Sequence, residues 1–124
     1  FSYRRGYPED VSGHGGGFVF DCRALPNPGR LPEYRSVTGM DPGVRSYLEA
    51  QGEVEVYWDS VRALVEEQIR TYIGRKFTAL TVSFGCTGGQ HRSVYFAERL
   101  EEFLRLEFPD VGVRLFHREE PYWP

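Results

Sequence analysis

The segment from Phe77 to Ser93 constrains this chain most. Leu80, Val82 and Phe84 alternate with Thr81 and Ser83, the period of a β-strand with one buried face. The run passes directly into Gly85-Cys86-Thr87-Gly88-Gly89, and from about Gln90 a helical period begins, with Phe96, Leu100, Phe103 and Leu104 on one face. A strand that turns through glycines straight into a helix is the building unit of parallel α/β sheets, which need helical crossovers between strands.

The rest of the chain supplies partners for that unit. Phe18 to Leu25 is a mostly apolar run and predicts a second strand, ahead of Pro26, Pro28 and Pro32, which enforce an extended loop. Asp41-Pro42 pairs an N-cap carboxylate with proline at the first helical position and predicts a short helix to Gln51, with Gly52 as its stop. Val54, Trp58, Val61, Val65, Ile69 and Tyr72 recur at three- and four-residue steps and predict a longer helix closed by Gly74. Pro109 ends the last helix, and Val111 to His117 alternates as a further strand. The predicted fold is a small three-layer α/β domain over residues 17–118, with a mostly parallel sheet of three or four strands burying Phe20, Val82, Phe84 and Val113. Residues 1–16, with their glycines, read as an arm or linker, and residues 119–124 as a tail.

At 124 residues the chain has the size of one domain with its own core. A net charge of -3 argues against a dedicated nucleic-acid binder. The basic side chains are fourteen arginines and the single Lys76, and arginine's planar fork suits phosphate and carboxylate. Cys22 and Cys86 have no disulfide or zinc spacing, and no segment has the length or apolarity of a signal peptide or membrane span, so a reduced, cytoplasmic setting is expected. No cofactor or metal is expected. Because the chain begins with Phe1 and its only methionine is Met40, it reads as a piece of a longer polypeptide.

The chemistry concentrates between Gly85 and Ser93. Free backbone N–H groups and the positive end of a helix dipole meet where a strand enters a helix, an anion site in the making. Gly85, Gly88 and Gly89 allow close backbone approach, Thr87 and Ser93 add hydroxyls, Arg92 a forked cation, and His91 a second cation or proton carrier. With Gln90 and Cys86 these make the candidate ligand site, and Asp21 and Arg23, at the end of the neighbouring strand, are the candidates for hydroxyl contacts. Tyr34 and Arg35 on the proline loop are candidates for a lid. The G-x-x-x-x-G-K-[ST] string of a P-loop and the dinucleotide fingerprint are both absent. Cys86 through Ser93 does fit C-x-x-G-x-x-R-S, the phosphate loop of cysteine-dependent phosphatases, in which Cys86 would be the nucleophile and Arg92 the phosphate clamp. Gly85 stands where such enzymes carry histidine, and no acid loop is evident; the expected state of Cys86 is a small buried hydrophobe, with phosphatase chemistry as the alternative.

Two blocks together bring a family into view. Phe20-Asp21-Cys22-Arg23-Ala24-Leu25-Pro26-Asn27-Pro28, Leu31-Pro32-Glu33-Tyr34-Arg35 and Thr38-Gly39-Met40-Asp41 resemble the opening of the RapZ/YvcJ C-terminal domain. Gly85 through Tyr95 resembles that domain's glycine-rich loop. The resemblance implies a domain like half of a phosphofructokinase fold that binds glucosamine-6-phosphate, in some members also small regulatory RNA. It implies, too, an upstream nucleotide-binding domain and oligomeric assembly. Gly29 and Gln90 stand where RNA-binding members carry histidine and lysine, and the end of the chain is Glu119-Glu120-Pro121-Tyr122-Trp123-Pro124 instead of basic. Sugar-phosphate or nucleotide sensing is therefore the expected function, with at most weak, salt-dependent RNA binding.

Overall fold

The computed structural model describes residues 1–124 and shows a small mixed α/β domain built around one parallel strand pair. β1 (Gly17–Asp21) and β2 (Thr81–Gly85) lie in register from Gly17 opposite Thr81 to Asp21 opposite Gly85. Between them run α1 (Pro42–Glu49) and α2 (Gly52–Gly74), and β2 is followed by α3 (Arg92–Glu107). Helices cover the face bearing Phe18, Phe20, Val82 and Phe84. A column of stacked rings crosses the layers there, Phe20 on Phe84 at 5.5 Å and Phe84 on Phe96 at 5.9 Å. Offset stacking of this kind adds to the area it buries. The opposite face, with Val19 and Thr81, stays exposed.

The helices follow their sequence signals. The Asp41 carboxylate accepts from the N–H groups of Gly43 and Val44, which starts α1 where its N-cap predicted. α2 buries Val54, Trp58, Val61, Val65 and Ile69 as its period requires. Gly52 is not the stop of α1: the first helix ends at Glu49, and Gly52 opens α2 behind Gln51. With only Ala50 and Gln51 between them, the two helices leave no room for a loop. Arg99 of α3 ties α3 to α2, with Nη1 and Nη2 donating to the Glu55 carboxylate at 2.6 and 3.0 Å.

The sheet has two strands, not three or four. Val111 to His117 keeps the alternation that predicted a strand, with Val111, Val113 and Leu115 half-buried and Gly112, Arg114 and Phe116 exposed, but it joins no ladder. The opposite end of the chain does meet β2. Residues 1–3, expected to be linker, lie along the end of β2: Cys86 N–H donates to the Phe1 carbonyl at 3.1 Å, and Tyr3 N–H to the Cys86 carbonyl at 3.0 Å. A side chain at Gly85 would come within 2.4 Å of the Phe1 ring, so glycine is what lets these aromatic residues close on the strand. Residues 4–7 and 9–16 of the arm are exposed. Phe84 is buried, while Phe20, Val82 and Val113 are half-buried. No helix is long and apolar enough to cross a membrane.

Candidate functional site

The glycine loop between β2 and α3 is gripped from both sides. Behind it, the Ser2 hydroxyl donates to the Thr87 carbonyl at 2.6 Å, and the Trp123 indole N–H to the Gly89 carbonyl at 3.0 Å. Glu119 is 2 % exposed and carries its charge into this layer; its Oε1 accepts from Ser2 N–H at 3.2 Å and from Arg118 Nε at 3.0 Å, and its Oε2 lies 3.0 Å from Arg5 Nε. A carboxylate this buried stands only with charged partners around it. Gly89, at φ +67°, has no space for a side chain, since a Cβ would meet Glu119 Cγ at 2.4 Å. The tail thus sets the height of the loop.

In front, three successive side chains reach across to the proline loop. Gln90 Nε2 donates to the carbonyls of Arg35 and Val37 at 2.9 and 2.8 Å. His91 Nε2 lies 2.7 Å from the Tyr34 carbonyl. Arg92 Nη1 donates to the carbonyls of Arg23 and Leu25 at 2.8 and 2.9 Å. Gly39 closes the clasp, with its N–H on the Gln90 carbonyl at 2.9 Å and no room for a Cβ against the start of α3.

Between the glycine loop and the clasped proline loop lies a cleft of about 260 Å³, lined by Arg4, Asn27, Gly29, Arg35, Cys86, Thr87, Gly88, Gln90, His91 and Arg92. Three arginines and no carboxylate face it. The N–H groups of Thr87, Gly88 and Gln90 donate to no protein acceptor. Arg92 is 4 % exposed and anchored through Nη1, while its Nε has no partner at all. Neither Nε, itself buried, nor Nη2 makes a hydrogen bond within the protein. A larger groove of about 350 Å³ follows α2, but its Arg62 and Arg70 are already paired with Glu66, which leaves no free cation there. Nowhere do three metal-ligating side chains gather.

The chemistry of individual groups departs from the sequence reading in places. Burial holds the His91 imidazole below its ordinary pKa against the raising effect of the Tyr34 carbonyl, so at neutral pH His91 is an uncharged clasp and not a second cation. The Ser93 hydroxyl does not face the cleft; it lies 3.2 Å from Cys86 Sγ, and Ser93 N–H donates to the same sulfur at 3.5 Å. Burial pushes the Cys86 thiol up, but the Ser93 hydroxyl and N–H, the Arg92 charge and the Gly89 N–H together hold it below its ordinary value. Cys22, fully buried, is pushed up by desolvation. Asp21 and Arg23 lie outside the cleft, paired with each other at 2.7 Å, with Arg23 over the Tyr3 ring. Gly85 and Gly89 shape the loop from behind it. Thr87, Gly88, Cys86, Arg92, Gln90 and His91 are the predicted residues that the fold brings to the cleft.

Arg4, Asn27, Gly29 and Arg35 complete the cleft. Asn27 shapes a turn, its Oδ1 accepting from Gly29 N–H at 3.0 Å. Arg4 sits in the segment taken for linker, and nothing local in the sequence ties it to residue 86.

The model of the RapZ C-terminal domain matches residues 1–121 of the chain. Among curated proteins, a nucleotide-binding protein of Thioalkalivibrio sulfidiphilus is 44% identical over 119 residues, 96% of this chain and 40% of that protein. One from Stenotrophomonas maltophilia is 42% identical over 120 residues, 97% of this chain and 39% of its own length. Another, from Xanthomonas oryzae, is 41% identical over 121 residues, 97% of this chain and 40% of that protein. The chain therefore spans about two fifths of the length of the curated relatives it matches.

Proposed function

The chain belongs to the RapZ C-terminal domain family, and on that footing we propose that it is a cytoplasmic regulatory domain whose cleft binds a phosphorylated small molecule. The ligand is a nucleotide or an amino-sugar phosphate such as glucosamine-6-phosphate, with its phosphate against the amides of residues 87 to 90. One observation carries this reading: Arg92 is fixed by two carbonyls through Nη1, and its Nε is left without a partner beside amides that have none either. Leaving the buried Arg92 Nε unpaired costs about 1–3 kcal/mol, and an anion that reaches it removes that cost. Charge-assisted bonds to phosphate then supply the affinity.

The size of the cleft bears on the choice of ligand. At about 260 Å³ it suits a phosphate with one small ring rather than an extended dinucleotide. The relatives are named for nucleotide binding, but the matched part is about two fifths of each, so that name also fits a site in the remainder. This leaves the amino-sugar phosphate as the better-supported occupant here. Assembly into homo-oligomers and an attached nucleotide-binding domain are part of the same proposal. RNA binding is expected to be weak and to fall steeply with salt, since eight of the fifteen Lys and Arg side chains are already paired with carboxylates.

The test is a titration followed by amide NMR with orthophosphate, glucosamine-6-phosphate, a nucleoside monophosphate, ATP and a structured RNA. Saturable shifts at Thr87, Gly88 and Gln90 with the small phosphates are expected. If those amides stay still with every phosphate, the site has been misread. Submicromolar RNA affinity at physiological salt overturns the ranking of partners.

A further inference from the structure

We infer that Cys86 is a phosphoryl acceptor: its thiolate takes the phosphoryl group of an acyl or aryl phosphate seated in the cleft and passes it to water. The inference rests on the phosphate seat proposed above and adds chemistry to it. Four features meet at one place. Cys86, 2 % exposed, is one of the residues lining the cleft, beside Thr87 and Gly88. It accepts Ser93 N–H at 3.5 Å and lies 3.2 Å from the Ser93 hydroxyl, which turns from acceptor to donor once the thiol loses its proton. The unpartnered amides of Thr87, Gly88 and Gln90 and the Nε–Nη2 edge of Arg92 surround the position where phosphoryl oxygens would carry charge. Burial raises the Cys86 thiol, but the Ser93 groups, the Arg92 charge and the Gly89 N–H together bring it below its ordinary value.

In the first step the Cys86 thiolate attacks phosphorus. An S–P bond forms, the P–O bond to the leaving group breaks, and the leaving group departs as a phenolate or carboxylate with the bonding pair. In the second step water attacks the same phosphorus, the S–P bond breaks, and the thiolate is regenerated with release of dihydrogen phosphate. No oxidant, reductant or metal enters either step.

The cleft also sets the substrate class. No carboxylate lines it, and the His91 Nε2 is held on the Tyr34 carbonyl, so nothing there can protonate a departing alkoxide. Aryl and acyl phosphates need no such proton, because their leaving groups are stable as anions. Sugar phosphates and nucleotides are alkyl esters and are bound intact, which separates the sensed ligand from the reactive one.

The experiment incubates the 124-residue chain with p-nitrophenyl phosphate, acetyl phosphate and, as the alkyl control, glucose-6-phosphate. Orthophosphate binding is followed in parallel by the amide shifts of the glycine loop. Expected are turnover of the first two substrates, none of the third, loss of turnover to the uncatalysed rate in Cys86→Ser, and retention in Cys22→Ser. Thermal melts show whether Cys86→Ser is folded. Should it not be, alkylation of wild-type Cys86 replaces it: iodoacetamide is expected to abolish turnover, and orthophosphate to slow the alkylation. Turnover that survives in folded Cys86→Ser or after complete alkylation overturns the inference, as does phosphate binding without any turnover, which leaves the phosphate seat standing. Absence of phosphate binding removes both.

Discussion

Arg92→Lys separates the two tasks that one side chain performs here. Arg92 is 4 % exposed and its Nη1 serves the carbonyls of Arg23 and Leu25 at 2.8 and 2.9 Å, while Nε and Nη2 make no hydrogen bond within the protein and on the proposed function meet the phosphate. Lysine keeps the charge but has a single nitrogen, so it can serve the carbonyls or the phosphate but not both. If the ammonium stays with the carbonyls, the fold is nearly intact and the bidentate phosphate contact is lost. A hydrogen bond to a charged group is worth about 1.5–3 kcal/mol, so affinity for orthophosphate or a sugar phosphate should fall roughly 10- to 150-fold. If it turns to the phosphate instead, the two carbonyls lose their donor at about 1–3 kcal/mol, a fall in Tm of roughly 3–5 °C for each kcal/mol in a domain of this size. Isothermal titration and a thermal melt on the same preparation read both quantities. The reasoning requires a loss in at least one of them. A variant that equals wild type in affinity and in Tm shows that Arg92 holds neither the ligand nor the β1 exit.

Two further outcomes follow from the clasp. Gly39→Ala places a Cβ 2.2 Å from the His91 carbonyl and 2.5 Å from Tyr95 N, both backbone atoms at the start of α3 that cannot swing aside. Urea denaturation should show a loss of about 1–3 kcal/mol, the usual cost of overpacking, whereas Gly88→Ala, with nothing within 4 Å of its Cβ, should be near wild type in stability. A Gly39→Ala variant within about 0.5 kcal/mol of wild type would show that the two loops are not held together. His91 titrates below its ordinary value of 6.5 in the fold. The unfolded chain then binds more protons between that lowered value and 6.5, so the contribution of His91 is complete above pH 6.5 and is lost as pH falls through the folded pKa. His91→Gln, which can keep a donor on the Tyr34 carbonyl, should flatten the pH dependence of Tm below 6.5; an unchanged slope removes His91 as its source.

Much of the fold was legible because periodicity reports burial. The α2 face of Val54, Trp58, Val61, Val65 and Ile69 is such a case, and so is the N-cap of Asp41, where one side chain satisfies two local N–H groups. The failures share a cause. Val111 to His117 alternates because one face packs on the domain, but alternation says nothing of whether a neighbouring backbone is free to pair. Gly52 carries two opposite meanings, helix stop and helix start, and only the tight join of α1 to α2 decides between them. Residues 1–5 contain no period at all, so their docking, which depends on Gly85 and Glu119 more than eighty residues away, left no local mark.

The candidate site shows the same division at the scale of single atoms. The run from Gly85 to Ser93 stood out as a candidate phosphate loop, yet the residue types cannot say which way each side chain turns. Gln90, His91 and Ser93 look like ligand donors in the sequence, whereas the fold uses them to hold the proline loop and a thiol. Their commitment is what frees the rest. With Gln90 and His91 fastening residues 34–37, the proline loop can bring Asn27, Gly29 and Arg35 up to the glycine loop. Cys86 packs in the buried core as a small side chain, and Ser93 on its sulfur helps hold the thiol below its ordinary value. Arg92 performs both kinds of work on one guanidinium, with Nη1 in the clasp and Nε without a partner. A motif of this kind is preorganised because most of its polar atoms are already engaged, which leaves only the loop amides and one arginine edge to meet an anion without first rearranging.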